Sequence, residues 1–403
     1  MKIGLFNYSD NLGGAARATY RIHKSLINEG VDSTLYVSQK TISGNLIKRS
    51  PYLSDRIFSN IRPRIASGLM KIFNPNPTSY SSISLLPSKW PKFINSSSLD
   101  LVHLNWINAE MMSIEDIAKI SKPVVWTFHD MWPFLGSAHL AESAPSHKNI
   151  IQKLINIDRW TYNRKKKNWN NLIQIVTPSR WLEDLVKQSE LMNDWSVTTI
   201  PHPINTEFWQ PNLKENAKEL LGIDNSKIVI LYGADGGTKS LNKGFDLLLQ
   251  AIEKIENPSK NLLLCIFGES EQTKINTKIP VLNFGRIKDD NKLRLLYCAA
   301  DVCVVPSRQE SFCQVALESQ SCGTPVVAFS VGGLNDVIEH GITGYLASPF
   351  DINMFSTYLQ QCLNEHDNSL TMGVNARQRA LKLFSMSSVA KKYINLYEQQ
   401  IKI

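Results

Sequence analysis

The sequence predicts an α/β protein with two successive domains, each built on a parallel sheet. Three observations carry that reading. Short runs of strand formers alternate with helical patterns along two separate stretches, a rhythm that builds parallel sheets covered by helices on both faces. The chain has 403 residues, room for two domains at roughly 100–200 residues each. Between the two series, Val197–Trp209 carries Pro201 and Pro203 and reads as a linker.

Lys2–Asn7 reads as the first strand. Gly13-Gly14-Ala15 follows, then a helical spacing through Tyr20, Ile22, Leu26 and Ile27 that Gly30 closes. Val31–Val37, Leu99–Leu104, Pro123–Thr127 and Leu172–Thr177 continue the series as strands. The second series places strands at Lys227–Tyr232, Leu262–Phe267, Val281–Phe284, Val302–Val305 and Pro325–Phe329. Helical patterns lie between them, at Gly244–Ile255 and Asn291–Ala299, and Met386–Ile403 reads as a final amphipathic helix. No internal repeat is visible.

Lys and Arg number 44 against 36 acids, a net charge of +8 that suits an anionic partner without choosing one. The six cysteines (Cys265, Cys298, Cys303, Cys313, Cys322 and Cys362) include no Cys-x-x-Cys pair, and several lie in apolar runs. They read as buried free thiols in a reducing compartment rather than a zinc site or disulfide framework. The opening MKIGLFNYSD turns polar too soon for a signal peptide, and no run of 18 apolar residues occurs. The expectation is a cytoplasmic protein, free or held at a membrane surface.

One segment breaks the rhythm. Lys40–Lys92 carries nine basic residues and one acid, Asp55, with apolar residues interleaved as in IRPRIASGLMKIF (Ile61–Phe73). A second basic cluster, Arg164–Lys167, sits between Trp160 and Trp169. Two readings stay open for these clusters: a solvated helix face, or docking on an anionic membrane surface. No nucleic-acid-binding motif accompanies them, so nucleic acid is not an expected partner.

The chemistry concentrates in PSRQESFCQVALESQSCGTPVVAF, Pro306–Phe329. The strand before it ends at Pro306, a loop follows, and a helix is expected from Phe312. Ligands of parallel sheets bind at the carboxyl ends of strands. The N–H groups of Ser311, Phe312 and Cys313 would then offer an anion site at the helix N-terminus. Glu310 in the loop reaches the same ligand, and Glu318 lies about two turns on along nearly the same face. Two carboxylates so placed suit a ligand with two polyol parts, such as a sugar joined to ribose through phosphates. The bland alternative is a satisfied helix carboxylate and a surface loop residue.

The surroundings of that stretch resemble the retaining glycosyltransferases of family 4. The Glu-x7-Glu element at 310–318 with SCGTPVV (321–327) is the most specific part of the likeness. It continues in GGLNDVIEHGITGYL (332–346), LRLLYCAADVCVVPS (293–307), TPSRWL (177–182), IPHPINTEFW (200–209), KGFDLL (243–248), GGA (13–15) and TFHDMWPFLG (127–136). The last of these is most similar to the branch that assembles bacterial surface polysaccharides such as lipopolysaccharide or capsule. The likeness spans nearly the whole chain except about residues 40–95.

The resemblance implies the GT-B architecture, in which two Rossmann-like domains face one another across a cleft. Residues 1–200 would bind the acceptor and 201–383 the nucleotide sugar, with 384–403 crossing back as a helix. It implies that Glu310 binds donor-sugar hydroxyls, helped by the backbone of Ser311–Cys313, and that Glu318 binds ribose hydroxyls. Lys243 would neutralise the diphosphate, Gly13 and Gly14 would let their loop approach it, and His129 would sit near the reaction centre. The implied partners are a nucleoside-diphosphate sugar, a glycan or lipid-linked acceptor and an anionic membrane surface at the inner face of a bacterial membrane. No metal or cofactor is implied, and the chain has no Asp-x-Asp; a cationic side chain would stabilise the leaving phosphate instead.

The sequence also departs from the family pattern. Many members carry an arginine where this chain has Ala234, after Gly233, and Lys239 is the candidate to replace it. His202-Pro203 replaces an Asn-Gly turn, Asn205 stands where Asp is common, and SFCQ (311–314) is not the glycine-rich form. No cysteines follow His-Asp-Met-Trp, and His139 and His147 read as exposed loop histidines rather than metal ligands. GADGGTKS (Gly233–Ser240) has Thr238 where a phosphate loop needs glycine, which argues against an NTPase. A non-catalytic sugar-nucleotide-binding or scaffold subunit remains the alternative reading.

Overall fold

The computed structural model describes residues 1–73, 80–140, 156–170, 173–234, 236–256, 261–268 and 275–402. The described residues form two compact units, Met1–Pro203 with Val389–Ile403, and Ile204–Ser388.

The first unit is built on a seven-stranded sheet of β1 (Lys2–Ser9), β2 (Asp32–Gln39), β3 (Ile47–Arg49), β4 (Leu101–Leu104), β5 (Val124–Thr127), β6 (Gln174–Thr177) and β7 (Val197–Thr199). The order is β3-β2-β1-β4-β5-β6-β7 and every pairing is parallel. Alternate residues of each strand face opposite layers. Ile3, Leu5, Leu35, Val37, Val125 and Val176 pack with Ile22 and Leu26 of helix Gly13–Asn28. The same layer takes Val389, Tyr393, Leu396 and Tyr397 of the last helix, Met386–Lys402. Phe6, Tyr36, Leu104, Trp126 and Ile175 face the other way, onto Trp90, Trp132 and Trp169.

The second unit carries six parallel strands in the order β10-β9-β8-β11-β12-β13. These are β8 (Ile228–Gly233), β9 (Leu262–Phe267), β10 (Val281–Asn283), β11 (Val302–Val305), β12 (Val326–Phe329) and β13 (Gly344–Ala347). All residues of β9, β11 and β12 are buried, as strands covered on both faces require. In each sheet the order reverses at one place, between β1 and β4 and between β8 and β11. Crevices for ligands open beside the carboxyl ends of strands at such reversals.

Several expectations change. Val197–Thr199 is the edge strand β7 rather than the start of a linker, because its backbone completes the sheet beside β6. β3 and β13 escaped the sequence reading; β3 is three residues long and lies inside the basic segment. Leu172 lies outside the described residues, and β6 begins at Gln174.

Two of the four basic residues at 164–167 are structural, and Lys166 and Lys167 are exposed. In helix Ile157–Asn168, Lys165 is fully buried and its Nζ donates to the carbonyls of Trp132, Leu135 and Gly136. The same ammonium lies 3.8 Å from the centroid of the Trp132 ring, a cation–π contact, and burial pushes its pKa well below the ordinary lysine value. Arg164 binds Glu115 through both Nε and Nη2, at 2.9 and 2.6 Å, and donates to the carbonyls of Ile83 and Ser84. Neither residue is available to a membrane surface. Lys166 is exposed and pairs with Glu190.

Lys165→Ala is expected to destabilise the first unit by about 3 kcal/mol, since it strands three carbonyls in an apolar layer. Lys166→Ala is expected to leave stability unchanged. Urea unfolding of the two variants checks this, and equal midpoints would contradict the assignment.

Candidate active site

In the second unit, the loops after β8 and β11 meet at the sheet's reversal point. The loop after β8 runs through two short 3-10 turns, Gly237–Lys239 and Leu241–Lys243. Gly244 then adopts φ +67°, and a Cβ there would stand 1.9 Å from the carbonyl oxygen of Pro306. Glycine alone permits both the backbone angle and the approach. Arg308 N donates to Asn242 O at 2.7 Å, and Asn242 Nδ2 to Gln309 O at 3.0 Å. Arg308 also grips Asp246 through two nitrogens, at 2.9 and 2.6 Å.

This lacing sets Lys243 Nζ 2.6 Å from Glu310 Oε1. Ser307 Oγ donates to the same oxygen at 2.9 Å, and Gly333 N donates to the Glu310 carbonyl at 2.8 Å. The Glu310 side chain is 11% exposed and Lys243 28%, so both remain reachable from solvent. Lys239 is exposed on the turn before Lys243.

The helix expected from Phe312 begins at Gln314 and ends at Ser321. Cys313 takes φ +83°, in the left-handed region, where a helix cannot extend backward through it. The first-turn N–H groups, which lack a helical carbonyl four residues back, are therefore those of Gln314, Val315 and Ala316. Phe312 and Cys313 turn their side chains into the core, Phe312 against Phe384 at 5.9 Å, so any ligand contact from them is through backbone. Ser311 belongs to the bend before the helix. Glu318 is 3% exposed and accepts from Tyr297 OH at 3.0 Å. The six cysteines are free and buried; burial pushes the thiols of Cys265, Cys303 and Cys362 up to about 12.

In the first unit, Gly13 opens helix Gly13–Asn28 with φ +83°, and a Cβ at Gly13 or Gly14 would meet nothing within 4 Å. The preceding loop is fixed by Asp10, whose carboxylate accepts from Thr41 N, Thr41 Oγ1 and Ile42 N, each contact at 2.7 Å. His129, beyond the end of β5, places Nε2 3.1 Å from Asn105 Oδ1 and stacks on His202 with ring centroids 5.0 Å apart. Asn105 spends its Nδ2 on the His103 carbonyl, so its Oδ1 accepts and His129 Nε2 carries the proton. His129 Nδ1 is then an acceptor, buried and without a hydrogen-bond partner among the described residues. Burial lowers the His129 pKa to about 4, against the opposing pull of Asp130, so the ring is neutral at pH 7.

His139 is 4% exposed rather than a surface residue: Nδ1 meets Asp130 Oδ2 at 2.6 Å and Nε2 meets Ser82 Oγ at 2.9 Å. Asp130 is fixed further by Trp106 Nε1 and Trp132 N, and it holds the loop that follows His129. His147 lies outside the described residues. Among the described residues no group of three or more His, Cys, Asp or Glu is placed to hold a metal ion.

Sequence reading missed Ser307, Tyr297, Asn105 and the Arg308–Asp246 clamp. Ser307 was within the quoted stretch, but Asp246 is 62 residues from Arg308 and only the fold joins them.

Residues 12–208 match the family described as Glycosyltransferase Family 4, and residues 214–379 match Glycosyl transferases group 1. The chain is 30% identical over 221 residues to a D-inositol 3-phosphate glycosyltransferase of Thermobispora bispora, covering 51% of each chain. It thus spans about half the length of that relative. It is 26% identical over 251 residues to a lipopolysaccharide 1,2-N-acetylglucosaminetransferase of Salmonella typhimurium, covering 58% of this chain and 63% of that one. Among solved structures, a sucrose-phosphate synthase from Thermosynechococcus elongatus superposes with TM-score 0.71 at 19% identity, covering 100% of this chain and 99% of that one. An Anabaena protein, HepE, in complex with UDP-glucose gives TM-score 0.64 at 16% identity, covering 99% and 100%. At these identities the structural likeness establishes the fold, two Rossmann-like units of GT-B type.

The first unit buries several neutral histidines. Burial lowers the pKa of His23 to about 4 and that of His103 to about 3, as it lowers that of His129. Each folded value lies below the ordinary 6.5, so between the two the unfolded chain binds more protons. Stability is therefore full above about pH 6.5 and is expected to fall by up to about 1.4 kcal/mol per pH unit per histidine toward pH 4. Urea midpoints across pH 8.5 to 4.5 check this; a flat profile below 6.5 would contradict the burial of neutral rings.

Proposed function

We propose that this chain, which belongs to the GT-B glycosyltransferases of family 4 type, moves a sugar from a nucleoside-diphosphate sugar to a hydroxyl of a glycan acceptor with retention of anomeric configuration. The observation that carries the proposal is the Lys243–Glu310 pair at the carboxyl ends of β8 and β11. It joins a cation for a phosphate to a carboxylate for sugar hydroxyls at one point of the sheet. The UDP-glucose complex of a protein with the same fold supports the donor class.

Glu310 accepts from hydroxyls of the donor sugar, and the first-turn N–H groups of helix Gln314–Ser321 face its oxygens. Glu318 accepts from the ribose hydroxyls, sharing its carboxylate with Tyr297. Lys243 stabilises the negative charge that grows on the diphosphate as the bond from the anomeric carbon to the phosphate oxygen breaks. Lys239 supplies a second positive charge from the preceding turn, in place of the arginine missing after Gly233. The acceptor oxygen forms its bond to the anomeric carbon on the same face, and its proton passes to the departing phosphate oxygen. No protein nucleophile and no metal take part. Neutral His129, with a bare Nδ1, accepts a hydrogen bond from a sugar hydroxyl.

The acceptor is lipid-linked and the enzyme works at the inner face of a bacterial membrane, in surface-polysaccharide synthesis. The support is a surface on the first unit where Leu53, Ile57, Phe58, Ile61 and Ile65 are 41–68% exposed beside exposed Arg64 and Lys71. Apolar side chains interleaved with cations suit an anionic bilayer surface. No helix among the described residues is long and apolar enough to cross a membrane.

Glu310→Gln is expected to cut turnover roughly ten- to hundredfold, and Glu318→Ala to weaken nucleotide binding by a similar factor, the worth of a charge-assisted hydrogen bond. A screen of UDP-, GDP-, ADP- and dTDP-sugars by thermal shift and hydrolysis, with and without EDTA, reads both. Wild-type behaviour of both variants would overturn the site, and binding without turnover would favour a non-catalytic subunit. Flotation with phosphatidylglycerol vesicles at low salt is expected to carry the protein, and the membrane part fails if it stays behind.

A further inference from the structure

Three aromatic rings meet at the carboxyl edge of the first sheet. Tyr8 is the penultimate residue of β1, and Trp106 follows the end of β4 by two residues. Their ring centroids lie 6.0 Å apart. Tyr80 joins them from the segment ahead of helix Trp90–Ser96, with its ring centroid 5.9 Å from that of Trp106. β1 and β4 are the strands between which the sheet order reverses, so the rings border the place where ligands of parallel sheets bind. The Gly13-Gly14 loop leaves β1 at the same edge, and His129 stands beyond the end of β5.

The rings are held in place. Trp106 N donates to Asn7 Oδ1, and Tyr8 N donates to the Trp106 carbonyl, each at 2.8 Å. The indole Nε1 donates to Asp130 Oδ2 at 2.8 Å, the same oxygen that His139 Nδ1 meets at 2.6 Å. His139 braces Tyr80 too: its N–H donates to the Tyr80 carbonyl at 3.1 Å, and the two rings pack at 4.8 Å. Yet Tyr80 is 56% exposed, and Tyr8 and Trp106 are only half-buried. A lone exposed apolar side chain is ordinary and would signify nothing. A contiguous group of rings, ordered in advance at a ligand edge, is different. Such rings offer contact area and lose little freedom when a ligand covers them.

We propose that Tyr80 and Trp106, with Tyr8 beside them, form a platform on which a sugar ring of the acceptor lies by its C–H face. The proposal rests on the reading of the first unit as the acceptor-binding half. A pyranose carries its hydroxyls around the rim and slightly positive C–H bonds on its faces. Aromatic faces carry the negative part of the ring quadrupole, so the two surfaces match while the hydroxyls stay free to hydrogen-bond. The ring planes of Tyr80 and Trp106 differ by 38°, a bent surface that suits a puckered sugar better than a flat base.

The test is saturation-transfer NMR on the full chain, with saturating UDP present to occupy the donor site. The probes are the methyl glycosides of glucose, galactose, mannose and N-acetylglucosamine. The expected result is saturable binding of at least one, with transfer strongest to its ring C–H protons. Tyr80→Ala is expected to weaken that binding roughly three- to tenfold, the worth of one aromatic contact. Tyr80→Phe keeps the ring and is expected to retain it. No binding of any glycoside, or equal binding by Tyr80→Ala and wild type, overturns the proposal. So does a loss in Tyr80→Phe as large as in Tyr80→Ala, which would make the hydroxyl the contact. Weaker UDP binding by Tyr80→Ala would assign the ring to the donor, again overturning it. Tyr80→Ala is also floated with phosphatidylglycerol vesicles. Loss of flotation with no glycoside effect would assign the ring to the bilayer surface instead. The UDP shift of the wild type is read separately: its absence sinks the transfer reading and leaves the glycoside titration to stand or fall alone.

Discussion

The contact on which the second unit's chemistry depends is the 2.6 Å ion pair between Lys243 and Glu310. These side chains come from loops 67 residues apart in sequence, and nothing local holds them together. They meet because β8 and β11 are neighbours at the point where the sheet order reverses, and because Gly244 lets one loop press on the other at Pro306. The Arg308–Asp246 clamp, two residues beyond Pro306 on one loop and two beyond Gly244 on the other, ties the same two loops together. Both recorded contacts to the Glu310 carboxylate fall on Oε1. A ligand phosphate arriving at Lys243 therefore competes with one carboxylate oxygen while the other stays available to a sugar hydroxyl. In the proposed reaction, donor phosphate and donor sugar would thus be coupled through one pair of side chains.

Buried strands were the most legible part of the sequence. Leu262–Phe267 and Val302–Val305 have the expected bounds because strands covered on both faces write themselves as unbroken apolar runs. Edge strands write nothing so clear. Val197–Thr199 is half-buried throughout, and Pro201 and Pro203 nearby made the whole stretch resemble a linker. The candidate site was legible as residue types, since Glu310, Glu318 and Lys243 stand in recognisable neighbourhoods. The helix start was not. Whether Phe312 or Gln314 opens it is decided by the left-handed backbone of Cys313, and that follows from packing Phe312 and Cys313 into the core.

The first unit shows why polar residues mislead most. Its sheet layers contain His103, bonded at Nε2 to Thr127 and at Nδ1 to Tyr397 OH, with Tyr393 OH closing on Thr127. The two tyrosines come from the last helix, so this unit's core is completed by residues nearly 300 positions away from the strand they cap. His139 and Lys165 are likewise internal. Sequence gives each only a charge or a ring, and in a loop or a run of lysines the default is exposure. Each is instead enclosed with its donors matched to acceptors, the condition under which polar side chains can be buried without large cost.

The same distinction governs the nine basic residues of 40–92, which a count treats as one field. Lys40 closes its own loop by donating to the carbonyls of Gly44 and Ile47. Lys89 sits over the ring of Tyr52 at 5.4 Å. Arg49 and Arg62 are half-buried, Arg62 against Asp55 at 3.3 Å, whereas Lys48, Arg56, Arg64, Lys71 and Lys92 are exposed. Screening treats these groups differently. Charges in open solvent lose their reach within about 8–10 Å at physiological salt, whereas a part-buried pair such as Arg62–Asp55 is screened much less. Raising ionic strength should therefore weaken any hold of the exposed cations on an anionic surface well before it loosens the Arg62–Asp55 contact.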